Sequence, residues 1–148
     1  MARPTAKGRK NQLKVVDVMK QNPLTVTVSE TGGQADDLMT ENKFRQLPVV
    51  KGKELIGIVT DRDVRSFFSS SLLTSPEQWE RARNTKVREI MSADPITLSP
   101  DDELEEAVEL LIEEKVGGIP VVDEAEGLVG IVTYIDVLRC FLSRLQEE

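Results

Sequence analysis

Leu47-Pro48-Val49-Val50, followed after a short turn by Leu55-Ile56-Gly57-Ile58-Val59-Thr60-Asp61-Arg62-Asp63, decides the fold because the chain writes it twice. Ile119-Pro120-Val121-Val122 and Leu128-Val129-Gly130-Ile131-Val132-Thr133-Tyr134-Ile135-Asp136 repeat it about 72 positions later. Upstream, Val18-Met19 and Asn22-Pro23-Leu24-Thr25-Val26 return as Ile90-Met91 and Asp94-Pro95-Ile96-Thr97-Leu98. The offset grows by one residue in the turn, where Lys51–Glu54 is matched by the longer Asp123–Gly127. Insertions confined to a turn are what a duplicated structural unit predicts.

The two apolar runs of each copy are short, rich in β-branched residues and joined by a tight turn, which reads as a strand hairpin. Brief strands are expected ahead of them at Leu24–Val26 and Ile96–Leu98. In the second copy a helix start is read at Ser99, with Pro100 at the first helical position and acids in the first turn. Leu104, Ala107, Val108 and Leu111 then follow at helical spacing, and Gly117 is the expected stop. In the first copy Gly32 and Gly33 interrupt that pattern, so its helix around Gln34–Asn42 is expected to start late or fray. A second helix follows each hairpin, from Asp61 to about Ser69 and from Tyr134 to about Gln146. The expected fold class is α/β (α+β): two pseudo-symmetric β-α-β-β-α units packed as one module.

The organisation that follows is a basic tail at 1–14, a first unit at 15–69, a connector at 70–84 and a second unit at 85–146. Ser69–Thr74 reads as a loop, and Ser75-Pro76-Glu77 opens a short helix to Arg83 in which Trp79 is expected to pack on the body. With 148 residues, two copies of this size would share a core rather than stand alone.

The net charge of −7 hides an uneven distribution. Residues 1–14 hold Arg3, Lys7, Arg9, Lys10 and Lys14 and no acid, so the body is more acidic than the total. An acidic body argues against nucleic acid as the main partner, the basic tail being the one segment suited to it. The sequence has no apolar run of membrane-spanning length and no secretory signal pattern, and its single cysteine, Cys140, has no partner for an internal disulfide. A cytoplasmic location is expected.

Enzymatic chemistry finds little support. With no histidine in the chain, the commonest general base and metal ligand is missing. Phosphate-loop, dinucleotide and metal-ligand spacings are also missing, and Cys140 lies among Leu138, Phe141 and Leu142 as a structural thiol would. The positive signal is the duplicated Thr-x-x-Asp: Thr60 with Asp63, and Thr133 with Asp136. Two readings stand side by side. In one, threonine caps the following helix and the acid completes a capping box. In the other, an anion-binding helix start beside a carboxylate forms a ribose-phosphate site.

Met-x-x-x-Pro, x-Pro-Val-Val and Gly-Ile-Val-Thr-x-x-Asp, in order and in duplicate over about residues 15–142, resemble the cystathionine-β-synthase (CBS) domain pair, or Bateman module. The likeness is to free-standing bacterial pairs of the acetoin-utilisation type. It implies a non-catalytic module with two clefts that bind AMP, ADP, ATP or S-adenosylmethionine and signal to a protein partner. In the matching positions, Asp63 and Asp136 would accept from ribose hydroxyls, and Thr60 and Thr133 would contact ribose or phosphate. The base would lie against Thr25, Val26 and Leu47 in one copy and Thr97, Leu98 and Ile119 in the other. For phosphate the first copy offers Arg45, Gln46 and Arg62; the second offers Gly117 and Gly118, with Tyr134 and Ile135. The first copy is therefore expected to favour a phosphorylated nucleotide. A homodimer is expected through the apolar helices Val64–Phe68 and Val137–Leu142, and a ligand-independent dimerisation scaffold is the alternative function.

Overall fold

The computed structural model describes residues 12–69 and 75–147. Most of the basic tail, and all but Ser69 of the loop expected at Ser69–Thr74, lie outside the described residues.

In chain order the elements are α1 (Val15–Val18), β1 (Lys20–Gln21), β2 (Val26–Thr27), α2 (Gly32–Asn42), β3 (Gln46–Lys51), β4 (Glu54–Thr60) and α3 (Asp61–Phe68). A connector helix α4 (Pro76–Arg83) and a 3-10 turn (Val87–Glu89) lead to β5 (Ser92–Ala93), α5 (Leu104–Glu114), β6 (Gly118–Val122), β7 (Leu128–Thr133) and α6 (Tyr134–Gln146). Both hairpins are antiparallel and break register at equivalent points, Val49/Val50 and Val121/Val122. The strand expected at Ile96–Leu98 shrinks to a single parallel bridge, Leu98 to Val121, where the first copy pairs β2 with β3 over two residues.

The sheets are completed by exchange between the repeats. Strand β1 pairs antiparallel with β7, Lys20 facing Ile131 and Gln21 facing Gly130. Strand β5 pairs in the same way with β4, Gly57 facing Ala93 and Ile58 facing Ser92. One sheet therefore runs β2-β3-β4-β5 and the other β1-β7-β6. The cores follow the same exchange. Val15 is buried with Leu98, Ala107, Leu111, Ile119, Val121 and Val132. Val87 is buried with Val26, Ala35, Leu47, Val49, Val59 and Val64. The pairing is physically economical: a short strand hides the open edge of a hairpin that would otherwise expose unpaired backbone groups.

This crossing explains the glycine in each Gly-Ile-Val-Thr. A Cβ on Gly130 would lie 2.6 Å from Met19 Sδ and 2.8 Å from the Lys20 carbonyl oxygen. One on Gly57 would lie 2.5 Å from Met91 Sδ and 2.9 Å from the Ser92 carbonyl oxygen. Because backbone blocks the way in both cases, Gly130→Ala should lower stability by about 1–3 kcal/mol, read as a lower urea midpoint.

Two helix expectations need correction. Helix α2 does not start late: it spans Gly32–Asn42, 11 residues, the same length as α5. Thr31 and Gln34 form a capping box ahead of the glycines, which offsets their poor propensity. The glycines also make room for the connector, since a Cβ on Gly32 would lie 2.6 Å from Ile90 Cδ1 and one on Gly33 2.9 Å from the Arg83 guanidinium. Arg83 donates to the Gly33 carbonyl and pairs with Asp36 and Asp37.

Helix α5, in contrast, begins at Leu104 and not at Ser99. Ser99–Asp102 forms a turn in which the Ser99 N–H donates to the Asp102 carboxylate. Its carbonyls are used by the incoming chain: Val15 N–H donates to Asp102 O and Val16 N–H to Pro100 O. Lys115, in the left-handed region, ends the helix two residues before Gly117. Trp79 packs as expected, edge-on to Phe68 with ring centroids 5.2 Å apart.

Candidate functional site

Both Thr-x-x-Asp corners form complete capping boxes. Asp63 Oδ2 accepts from the Thr60 N–H at 3.0 Å, and Thr60 Oγ1 accepts from the Asp63 N–H at 3.1 Å. Asp136 Oδ2 accepts from the Thr133 N–H at 2.9 Å and from its hydroxyl at 2.8 Å. Each corner sits where a buried central strand, β4 or β7, turns into α3 or α6. Capping thus explains one carboxylate oxygen of each aspartate and leaves the other, Oδ1, outside the box.

The corners differ in what faces that oxygen. Asp136 is 7% exposed, and its Oδ1 lies 3.7 Å from Lys20 Nζ. Lys20 comes from β1, the strand that crosses from the other repeat, and its ammonium lies 5.8 Å from the centre of the Phe44 ring. A cleft opens here between the repeats, with Lys20, Pro23, Leu24, Phe44 and Gln46 on one side and Thr133 on the other. By repetition the counterparts of Lys20, Phe44 and Gln46 are Ser92, Val116 and Gly118. Among the described residues, Asp63 is half-buried and has no cation within ion-pair distance.

The cleft is therefore composite, which changes the partition expected from sequence. Gln46 pairs with Thr60 through the backbone of the β3–β4 hairpin. Its side chain, however, lies against the other repeat: Cβ atoms on Gly117 and Gly118 would lie 2.7 Å from Gln46 Oε1 and 3.1 Å from Gln46 Nε2. Gln46 thus touches both repeats: its backbone pairs with Thr60 of the first corner and its side chain lies by Gly117, Gly118 and Thr133. Arg45 and Arg62 are exposed and form no ion pair among the described residues.

The remaining predicted residues divide by burial. Val26, Leu47, Leu98 and Ile119 are core side chains, at most 3% exposed, so only their backbone can face a ligand. Thr25 is half-buried and Thr97 exposed. Gly118 is buried at the start of β6. Lys20, Pro23, Leu24 and Phe44 were not singled out as site residues. Their signal was weak but present: Lys20, Pro23 and Leu24 fill the stretch between Met19 and Thr25, and Phe44 is an aromatic placed just before β3.

Among the described residues no group of histidine, cysteine or acidic side chains is placed to hold a metal, and no helix is long and apolar enough to cross a membrane.

The duplicated unit, the exchanged strands and the paired corners define a tandem module, and the chain belongs to the CBS-domain family, matching the CBS domain at residues 15–70 and again at 87–143. The fold is that of solved CBS-pair proteins. AcuB from Vibrio cholerae is 32% identical, with a TM-score of 0.78 over 90% of this chain and 93% of its own. CBSX2 in complex with AMP is 30% identical, with a TM-score of 0.76 over 88% and 96%. The CBS domain pair of protein MJ0100, in complex with 5'-methylthioadenosine and S-adenosyl-L-methionine, is 27% identical with a TM-score of 0.70 over 87% and 99%. Some relatives are much longer. Protein MJ1225 of Methanocaldococcus jannaschii is 38% identical over 90% of this chain, which spans 52% of that protein. Inosine-5'-monophosphate dehydrogenase of the same organism is 32% identical, and the chain spans 23% of it.

Proposed function

We propose that the protein is a non-catalytic regulatory module. It takes an adenosine-type ligand, of the AMP, ADP and ATP class or S-adenosylmethionine, between its two units and signals to a protein partner. The observation that supports this most is Asp136. It is a buried carboxylate whose capping duty uses Oδ2, while Oδ1 lies 3.7 Å from the ammonium of Lys20, a residue that with Thr133 lines a cleft with apolar walls. Two hydroxyls of a ribose are donors of the kind such an oxygen accepts; the Tyr134 and Asp136 N–H groups at the start of α6 are already paired, with the Gly117 carbonyl and Thr133 Oγ1. Pro23, Leu24 and Phe44 supply the apolar wall a base needs. The complexes of CBSX2 with AMP and of MJ0100 with adenosine derivatives support the same ligand class. In this reading Asp63 and Thr60 serve the second cleft, with Thr97 and the backbone of Leu98 and Ile119 beside its base. The backbone of Thr25, Val26 and Leu47 serves the first.

Signalling follows when the ligand binds one conformation of the two units better than another, since only differential affinity shifts an equilibrium. A ligand of the native state must also stabilise it, by about 2.7 kcal/mol at a hundredfold excess over Kd. Millimolar AMP or ATP should therefore raise the melting temperature by several degrees. No shift with either would favour the second reading, a ligand-independent dimerisation scaffold. That reading draws on the completed capping boxes, which give Thr60, Asp63, Thr133 and Asp136 a structural role without any ligand.

Self-association is supported by α6. Leu138, Phe141, Leu142 and Leu145 fall at i, i+3, i+4 and i+7 and are 49–59% exposed. Contiguous apolar surface on a helix face marks an interaction site. A second copy of the chain would cover it, with the molecule working as a cytoplasmic homodimer. Light scattering should give twice the 16.5 kDa chain mass; the chain mass alone would overturn the dimer.

A further inference from the structure

We propose that Lys20 makes the Asp136 cleft selective for a phosphorylated ligand, whereas the Asp63 cleft lacks this selection. This inference rests on the nucleotide reading above. The Asp136 side chain is 6% exposed and the Lys20 side chain 47%, so a half-solvated ammonium lies against a nearly dry carboxylate. At 3.7 Å the pair is a charge contact longer than a hydrogen bond. Asp136 Oδ2 is already occupied by the Thr133 N–H and hydroxyl. A ribose diol can reach the carboxylate only through Oδ1, the oxygen that Lys20 covers.

Binding is therefore an exchange. The hydroxyls replace the ammonium at Oδ1, and the ammonium, on a long and flexible stem, needs another anion. An uncharged nucleoside provides none, so the exchange costs an ion pair at a poorly solvated carboxylate. A nucleotide provides its phosphate, and the lysine moves from one anion to another within the same cleft. Phe44, 5.8 Å from the ammonium, keeps the stem on the cleft side during this move. Asp136 also lines a groove with Asp17, Arg139 and Arg144, and among the described residues neither arginine comes within ion-pair distance of it. At the corresponding corner Ser92 stands where Lys20 would be, and among the described residues Asp63 has no cation within ion-pair distance, so adenosine and AMP meet the same carboxylate there without an exchange.

Calorimetric titration of the full chain with AMP and with adenosine tests this, comparing wild type, K20M and K20R. Amide shifts of Gly130 and Ile131 identify filling of the Asp136 cleft. A charge-assisted contact to phosphate should make wild type prefer AMP by about tenfold or more at that cleft. In K20M the preference should fall to about threefold or less, with adenosine binding tighter and AMP weaker, while K20R keeps the wild-type ratio. An unchanged ratio in K20M, with AMP still bound, overturns the role of Lys20 and leaves the nucleotide reading standing. If neither compound binds wild type, the nucleotide reading itself falls.

Discussion

Deleting residues 1–21 is expected to destabilise the second repeat, more than 60 residues further along the chain, by more than about 3 kcal/mol while costing the first repeat much less. The reason is the exchanged segment. Val15 is fully buried in the second core, with Met19 packed beside it. Backbone bonds tie Val15 to Asp102, Val16 to Pro100 and Leu104 to Leu13 at 2.8–3.0 Å. Removing them exposes the β7 edge and leaves a cavity over Leu98 and Ile119, both at most 3% exposed. Hydrogen exchange should then accelerate in β6 and β7 and hold in β3 and β4. A deletion variant whose urea midpoint is unchanged, or whose two sheets exchange equally fast, would contradict the exchanged architecture.

The duplication was legible because its parts are local. The Leu-Pro-Val-Val and Gly-Ile-Val-Thr strands, the turn that absorbs the extra residue, and the helix starts at Thr60 and Thr133 all follow from short-range pattern. Helix α6 ends at Gln146 and α4 at Arg83, where the sequence placed them. What sequence did not show is non-local. Nothing in Lys20-Gln21 or Ser92-Ala93 says which hairpin they pair with, since two residues have no periodicity to read. The α2 glycines illustrate the same limit. As helix residues they predict fraying, yet their neighbours are Ile90 and Arg83, about 50 residues or more away in sequence. The start of α5 departs from its local signal in the opposite sense, because Ser99 and Pro100 are a sound cap signal overridden by the docking of Val15 and Val16.

The same limit shaped the site. The pairs Thr60–Asp63 and Thr133–Asp136 are legible from the repeat alone as helix-capping corners. Which residues share a cleft depends on the exchange, which brings Lys20 to the second aspartate. Broken symmetry survives in a different form: Lys20, Phe44 and Gln46 against Ser92, Val116 and Gly118.

Asp136→Ala carries the other large expected effect. It removes a capping box, which costs about 1–2 kcal/mol of stability, and it removes the acceptor for the ribose. Hydrogen bonds to a charged group contribute about 1.5–3 kcal/mol each, so affinity at that cleft should fall by about tenfold to a hundredfold or more. Asp136→Asn keeps an oxygen for the Thr133 N–H and separates the two effects, preserving more of the stability while still weakening the ligand. The most direct measurement is calorimetric titration of AMP into wild type, Asp63→Ala and Asp136→Ala. Each substitution should weaken or abolish one binding event and leave the other in place. Three superimposable isotherms would contradict the assignment of the two aspartates to nucleotide clefts.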